Sequence, residues 1–432
     1  MKDLHDIASR ARNSFYRISV SSSEQRNEVL HLLARLLDEN RDRIFDANRN
    51  DIAEAEKSSL AAPLLHRLTF GEEKLTQMIR GLQALADLPD PINRTLVSTE
   101  IADALKLYRV SCPIGVIGVI FESRPDALIQ ISSLCIKSGN AVLLKGGHEA
   151  LFTNQVLCDL VRKALENASL PADTAQLLET REDVAQMLKE DTLIDLIIPR
   201  GSNNFVRYIM DNSRIPVLGH SDGICHVYVD QYADLETALK VSVDSKIQNV
   251  SVCNAMETLL VHRDVAARFL PDASRLFAEA GVELRGDNAT AEIIACKPAD
   301  VSDWSTEYLD YILSVKIVSS LQEAIEHINT YGSHHTDCIV TEDDETASVF
   351  MNMVDSAGVY MNVSTRFADG FVYGLGAEVG ISTGKLHARG PMGLEGLTTY
   401  KYKLIGNGHT MKEVKSGKII YTHKALDEAC PI

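Results

Sequence analysis

The chain has 432 residues, 45% hydrophobic and 24% charged, with a formal net charge of −17. That length exceeds one ordinary core and suggests two or three domains. An acidic balance with no run of Lys and Arg argues against a nucleic-acid partner, and no apolar stretch approaches the roughly 18 residues that span a bilayer.

Residues 1 to about 88 read as helices. In SSSEQRNEVLHLLARLLDEN, Ser22 caps a helix with Gln25 three residues on, and Val29, Leu30, Leu32, Leu33, Leu36 and Leu37 form one apolar stripe. Pro89 and Pro91 end this region. Residues 95–112 alternate and are rich in β-branched side chains, which predicts an extended hairpin. From Pro113 the pattern is strand, loop, helix, repeated. PIGVIGVIF is a buried strand, DALIQISSLCIKSGN a helix closed by Gly139, AVLLKGG a strand, HEALFTNQVLCDLVRKALENA a helix, and DLIIPRGS a strand running into a loop. This alternation predicts a parallel sheet covered on both faces. Ligands bind such sheets beyond the carboxyl ends of strands, where FESRP, LKGGHEA and IPRGSNN lie. A second α/β region begins near His226, with CHVYVD, ETLLVH, LSVKIVSSLQEAIEHI, HTDCIVTED and AGVYMNVS. The polar, alternating GLTTYKYKLIGNGH suits an edge strand that needs a partner.

The N-terminal MKDLHDIASRAR is charged and has no apolar signal core. The eight cysteines form no CxxC pair and none stands near His at metal-ligand spacing. Reduced thiols in a cytoplasmic chain without a metal are expected. Cys253 differs from the other seven. It lies in SVCNAMETLL between small or polar residues, at a junction between elements, where a sulfur and its backbone N–H can face a cleft. Local sequence alone leaves a buried, inert thiol as the alternative. Lys145-Gly146-Gly147 and Arg200-Gly201-Ser202 each follow a strand and precede a helix, a place for a phosphate. Two plain turns are the alternative, and GxGxxG is absent. Residues 364–398 are dense in glycine and carry Arg366, His387 and Arg389, side chains able to clamp a carboxylate or phosphate. An irregular crossover with solvated charges is the alternative there.

These motifs together resemble the gamma-glutamyl phosphate reductase family of the aldehyde dehydrogenase superfamily. The residues that carry the likeness are PIGVIGVIFESRPDALIQISSLCIKSGNAVLLKGGHEA, HVYVD, VCNAMETLLVH, HTDCIVTED, STRFADG, GLGAEVGIS and KLHARGPMGLEGLTTYKY, in that order. The resemblance implies an α/β, aldehyde dehydrogenase-like fold. A Rossmann-like cofactor domain would take residues 1–92 and 114–225, and an α/β catalytic domain 226–395. A small β oligomerisation element would take 93–113 and 396–432, making a homo-oligomer. The implied reaction is NADPH-dependent reduction of L-glutamyl 5-phosphate to L-glutamate 5-semialdehyde and phosphate, the second step of proline biosynthesis. The chain shows no fused kinase segment, so glutamate 5-kinase is an implied functional partner rather than part of it.

By position, Cys253 matches the family nucleophile. Lys145 matches the lysine at the cofactor ribose or its phosphate, and Gly201 and Ser202 the loop over the pyrophosphate. Glu307 matches the glutamate at the nicotinamide ribose. Arg124, Arg366 and Arg389 are the candidates for substrate carboxylate and phosphate. Three departures stand out. The superfamily's oxyanion asparagine aligns near Ser123, so Ser123 is a weaker candidate donor and the Cys253 N–H would carry more of the load. The glutamate base of hydrolytic members is missing from LGHSDGICH, where Asp222 is the nearest carboxylate. The family's Lys-Thr-Gln-Arg reads Lys246-Ile247-Gln248-Asn249, which predicts a missing positive charge. Without a base to activate water, a thioester on Cys253 is left for hydride. A hydrolytic aldehyde dehydrogenase, a thioester-using acyltransferase and a fold retained without activity are the alternatives.

Overall fold

Ser22 opens the helix Ser23–Glu39 with a full capping box: its side chain accepts the Gln25 N–H while Gln25 accepts the Ser22 N–H. In this computed structural model, residues 4–60, 62–180, 182–219, 222–375 and 378–432 are described. Four further helices, Leu4–Ile18, Arg41–Lys57, Ala62–Leu68 and Glu72–Asp87, complete the N-terminal run. Two compact units emerge, Met1–Leu218 with Leu375–Gly380 and Met392–Ile432, and Gly219–Gly374 with Ile381–Pro391.

The first unit holds a four-stranded parallel sheet in the order Ala175–Leu178, Ala141–Gly146, Val116–Phe121, Leu196–Arg200. All six residues of Val116–Phe121 are buried, which explains why this strand reads as a continuous apolar run. The helix Pro125–Lys137 returns from it, and Gly139 at φ +72° ends that helix in a left-handed turn. The connection changes direction at Val116–Phe121, because its neighbours Ala141–Gly146 and Leu196–Arg200 lie on opposite sides of it. The loops after Phe121 and Arg200 therefore flank a topological switch point, the usual ligand crevice of such sheets. The predicted hairpin is Thr95–Ala102 and Leu105–Pro113, antiparallel, within a second four-stranded sheet. Thr398–Ile405 lies at the outer edge of that sheet, paired to Leu105–Pro113.

The second unit is built on seven parallel strands in the order Lys297–Pro298, Glu283–Gly286, Ile312–Val318, Met256–His262, Cys225–Val229, Thr336–Val340, Gly358–Met361. The central strands Met256–His262 and Cys225–Val229 are buried along their whole length. The core on one face gathers Val227, Leu259, Val261, Phe269, Phe277 and Val315.

Beside this sheet lies a buried histidine, His327, 3% exposed and packed edge-on against Trp304 and His226. Burial pushes its imidazole down to about 2, helped by the charges of His226 and Lys316. A base depressed in the fold stabilises it fully above its unfolded value near 6.5 and loses that contribution as pH falls below it. Between pH 6.5 and 5 the loss is about 2 kcal/mol. Denaturant titrations at pH 7 and pH 5 should therefore show His327→Gln losing less stability on acidification than wild type. Equal slopes would remove His327 as the cause.

Candidate active site

The strand Met256–His262 cannot follow the helix Leu235–Ile247 directly, and the intervening residues 248–255 form a tight turn. Asn249 starts it by accepting the Ser251 N–H at 3.0 Å, and the Ala255 N–H closes onto the Val252 carbonyl at 3.0 Å. Cys253 sits within this turn, half-buried, while Cys135, Cys158, Cys225 and Cys338 are buried outright. None of the eight cysteines is in a disulfide. Burial lifts the Cys135, Cys158, Cys225 and Cys338 thiols far above neutral pH, as expected of inert core thiols.

The turn is stapled to residues 364–368. Thr365 Oγ1 donates to the Asn254 carbonyl at 2.7 Å, and Asn254 Nδ2 donates to the Ala368 carbonyl at 3.0 Å. This brings Arg366 to the Cys253 turn, where its Nε donates to Gln248 Oε1 at 2.9 Å. Burial depresses the guanidinium, and the acids Cys253, Asp244 and Asp369 pull it back. The helix Leu235–Ile247 points its negative end at the turn, and Arg366 brings a positive charge close enough to interact with Cys253. Asn249 carries no charge, and Arg366 on residues 364–368 is the cation that bonds to this turn. Ile247 packs against the apolar core instead of facing the site.

Gly223 closes the other side. A Cβ on it would stand 2.2 Å from the Cys253 carbonyl oxygen and 2.5 Å from its Cα and Cβ. No side chain fits at position 223 while the turn keeps this place. Asp222 is described, while residues 220 and 221 of the LGHSDGICH stretch lie outside the described residues. So do residues 376 and 377 of GLGAEVGIS.

Glu307 is half-buried on the segment before Ile312–Val318. Its neighbour Tyr308 is pinned by hydrogen bonds to Asp303 at 2.6 Å and Ser314 at 2.8 Å, with the Arg285 guanidinium over its ring. Arg389 is not gathered at the turn by any of these bonds. Its Nη2 donates to the carbonyl and carboxylate of Asp355, both at 3.1 Å, and Asp355 also pairs with Lys385.

In the first unit, Lys145 is 5% exposed at the end of its strand, with Nζ on the Gly146 carbonyl. Gly201 and Ser202 lead into the helix Asn203–Asn212, whose start has no side-chain cap from Ser202. There the Ser202 N–H donates to Glu122 Oε2 at 3.0 Å, so an anion of the chain itself occupies the helix start. A side chain at 201 would collide with Glu122 and Phe205. A pyrophosphate at this glycine and switch point would have to displace Glu122 from the Ser202 N–H. Arg124 is exposed at the start of Pro125–Lys137. Ser123 departs from expectation: at 2% exposure and φ +44°, it gives both its N–H and its hydroxyl proton to Glu149, at 2.7 and 2.6 Å. Its hydroxyl is spent and cannot also donate to an oxyanion.

Sequence reasoning missed Glu257, Lys246 and Gly223 as site residues. The one signal was a carboxylate inside the otherwise apolar METLLVH. The aldehyde dehydrogenase family profile matches residues 1–291. The gamma-glutamyl phosphate reductase of Acetivibrio thermocellus is 54% identical over 429 residues, covering 99% of this chain and 100% of the relative. That of Ruminiclostridium cellulolyticum is 56% identical over 426 residues, 99% of each. The crystal structure of gamma-glutamyl phosphate reductase from Thermotoga maritima superposes with a TM-score of 0.93 at 38% identity, covering 95% of this chain and 100% of that one.

Proposed function

The chain belongs to the aldehyde dehydrogenase family and, within it, to the gamma-glutamyl phosphate reductases, and from that premise we propose that it reduces L-glutamyl 5-phosphate to the 5-semialdehyde through a thioester on Cys253. The observation that carries this reading is the Cys253 turn: a half-buried thiol whose charge acts on the Arg366 guanidinium, with Gly223 packed against its backbone.

Cys253 Sγ attacks the acyl carbon, and its own N–H holds the oxyanion. Phosphate leaves with the bonding pair and needs little acid catalysis. Arg366 stabilises the thiolate and the substrate's anionic group. Arg124 is the second candidate for that group; Arg389, already paired with Asp355, is the third. Gly223 packs on Cys253, and LGHSDGICH carries no glutamate to activate water, so the thioester is left for hydride. Lys145, Gly201 and Ser202 would hold NADPH at the switch point of the first unit, and Glu307 remains the family-position candidate for its nicotinamide ribose. When bound, NADPH supplies the hydride that releases the aldehyde. The first unit would then hold both the cofactor domain and the small β element of 93–113 and 396–432, and the second the catalytic domain.

The exposed edge strand Thr398–Ile405 presents Tyr400, Tyr402 and Leu404 at 51%, 61% and 61% exposure. An unpaired edge with such a row fits pairing with a second copy of this chain. A monomeric mass by light scattering at micromolar concentration would refute that.

The reverse assay tests the reaction. Glutamate semialdehyde, NADP and phosphate should give NADPH, and omitting phosphate should abolish it. Undiminished NADPH formation without phosphate would mean hydrolysis and sink the reading.

A further inference from the structure

Lys246 is the penultimate residue of the helix before the nucleophile turn, and Glu257 is the second residue of the strand after it. Lys246 Nζ and Glu257 Oε2 lie 2.6 Å apart, and both side chains are wholly buried. The two residues are eleven apart in sequence, and Cys253 lies between them. The pair therefore ties together the two ends of the segment that presents the thiol.

The second carboxylate oxygen has another task. Glu257 Oε1 accepts the Leu309 N–H at 3.1 Å, and Leu309 holds φ +52°, a backbone state that bulky residues avoid without support. Leu309 follows Tyr308, whose ring the Lys246 ammonium faces at 6.0 Å. Glu307 immediately precedes both. One carboxylate thus touches the segment of the nucleophile and the segment of the ribose-binding glutamate.

A buried ion pair is a poor way to gain stability, since apolar side chains of similar size often do better. Its gain here is geometric. Charge-assisted bonds are directional and short, and misplacement of reacting groups by about 1 Å costs about 10²-fold in rate.

We infer that Lys246 and Glu257 are positioning residues that fix the Cys253 turn and the Glu307 segment in one frame. The inference rests on the reading of Cys253 as nucleophile and Glu307 as ribose ligand. Burial raises the Glu257 carboxyl to about 7 against the pull of Lys246, and lowers the Lys246 ammonium against the pull of Glu257. The frame is accordingly sensitive to replacement of either charge.

The test compares two double variants, K246M/E257M and K246M/E257Q. Both remove the charges, but only the second keeps an oxygen for the Leu309 N–H. In the reverse assay K246M/E257M should lose about 10²-fold in kcat. Its KM for NADP should rise, its NADPH dissociation constant by fluorescence should weaken, and its rate of Cys253 alkylation by iodoacetamide should change. K246M/E257Q should lose only about tenfold, a neutral bond replacing a charged one. A purely structural role would lower the melting temperature of both and leave kcat and KM alone. Wild-type kcat, KM and alkylation in a folded K246M/E257M overturn the inference, as do equal losses in the two variants. Should K246M/E257M not fold, K246M/E257Q decides: a tenfold kcat loss supports the frame, and wild-type kinetics overturn it. Cys253→Ser run in parallel separates the two readings. Turnover in that variant refutes the nucleophile itself, whereas an inactive Cys253→Ser beside an unaffected double variant refutes only the frame.

Discussion

Cys253→Ser should lose about 10⁴-fold or more in kcat while binding NADPH as wild type does. The hydroxyl is nearly isosteric, so the turn bonds from Asn249, Val252 and Thr365 should persist. What disappears is the nucleophile. A serine hydroxyl needs a partner to take its proton. Gly223 cannot provide one, and Arg366 is a cation. The fall should therefore be deeper than in enzymes that keep a neighbouring base. Single-turnover mixing of acyl phosphate with enzyme in the absence of NADPH gives the matching check. Wild type should release one phosphate per site in a burst, and Cys253→Ser none. A full burst from the variant would mean that acyl transfer goes elsewhere.

Much of this architecture was legible from residues alone because the signals were long. PIGVIGVIF and METLLVH are runs that only a buried parallel strand explains, and Ser22 with Gln25 spells out its own cap. Short elements were not legible. Ala175–Leu178 and Glu283–Gly286 have four residues each, too few to show a period. The site divided in the same way. Cys253 lies inside a recognisable stretch, VCNAMETLLVH, whereas Glu307 and the 201–202 loop were assigned only by their position along the chain. Contacts between distant segments could not be foreseen. Arg366 reaches Gln248 across 118 positions, and only the fold brings a cation to the thiol. Ser123 shows the reverse error. It aligned with a donor, yet Glu149, 26 residues on, takes its hydroxyl proton. Glu257 was visible as a charge in an apolar strand, but its two partners, Lys246 and Leu309, lie on opposite sides of it in sequence.

Gly223→Ala should cost a large part of turnover, although it changes no reactive group. The added methyl would overlap the Cys253 carbonyl oxygen at 2.2 Å and its Cα and Cβ at 2.5 Å. These are mostly backbone contacts, so no rotamer change can relieve them. The Cys253 turn must move away as a body, against its bonds to residues 365 and 368. A displacement of about 1 Å would cost about 10²-fold in kcat, and the strain adds about 1–3 kcal/mol of destabilisation. Two measurements separate these effects. The iodoacetamide labelling rate of Cys253 reports the thiol's placement beside Arg366, and thermal melting reports strain. The expected result is a large kcat loss with altered labelling in a variant still folded at 25 °C. Wild-type kcat would show that the turn yields freely. Gly223→Ser should fail in the same way, because the first atom of any side chain at 223 meets the Cys253 backbone whatever group it carries beyond it.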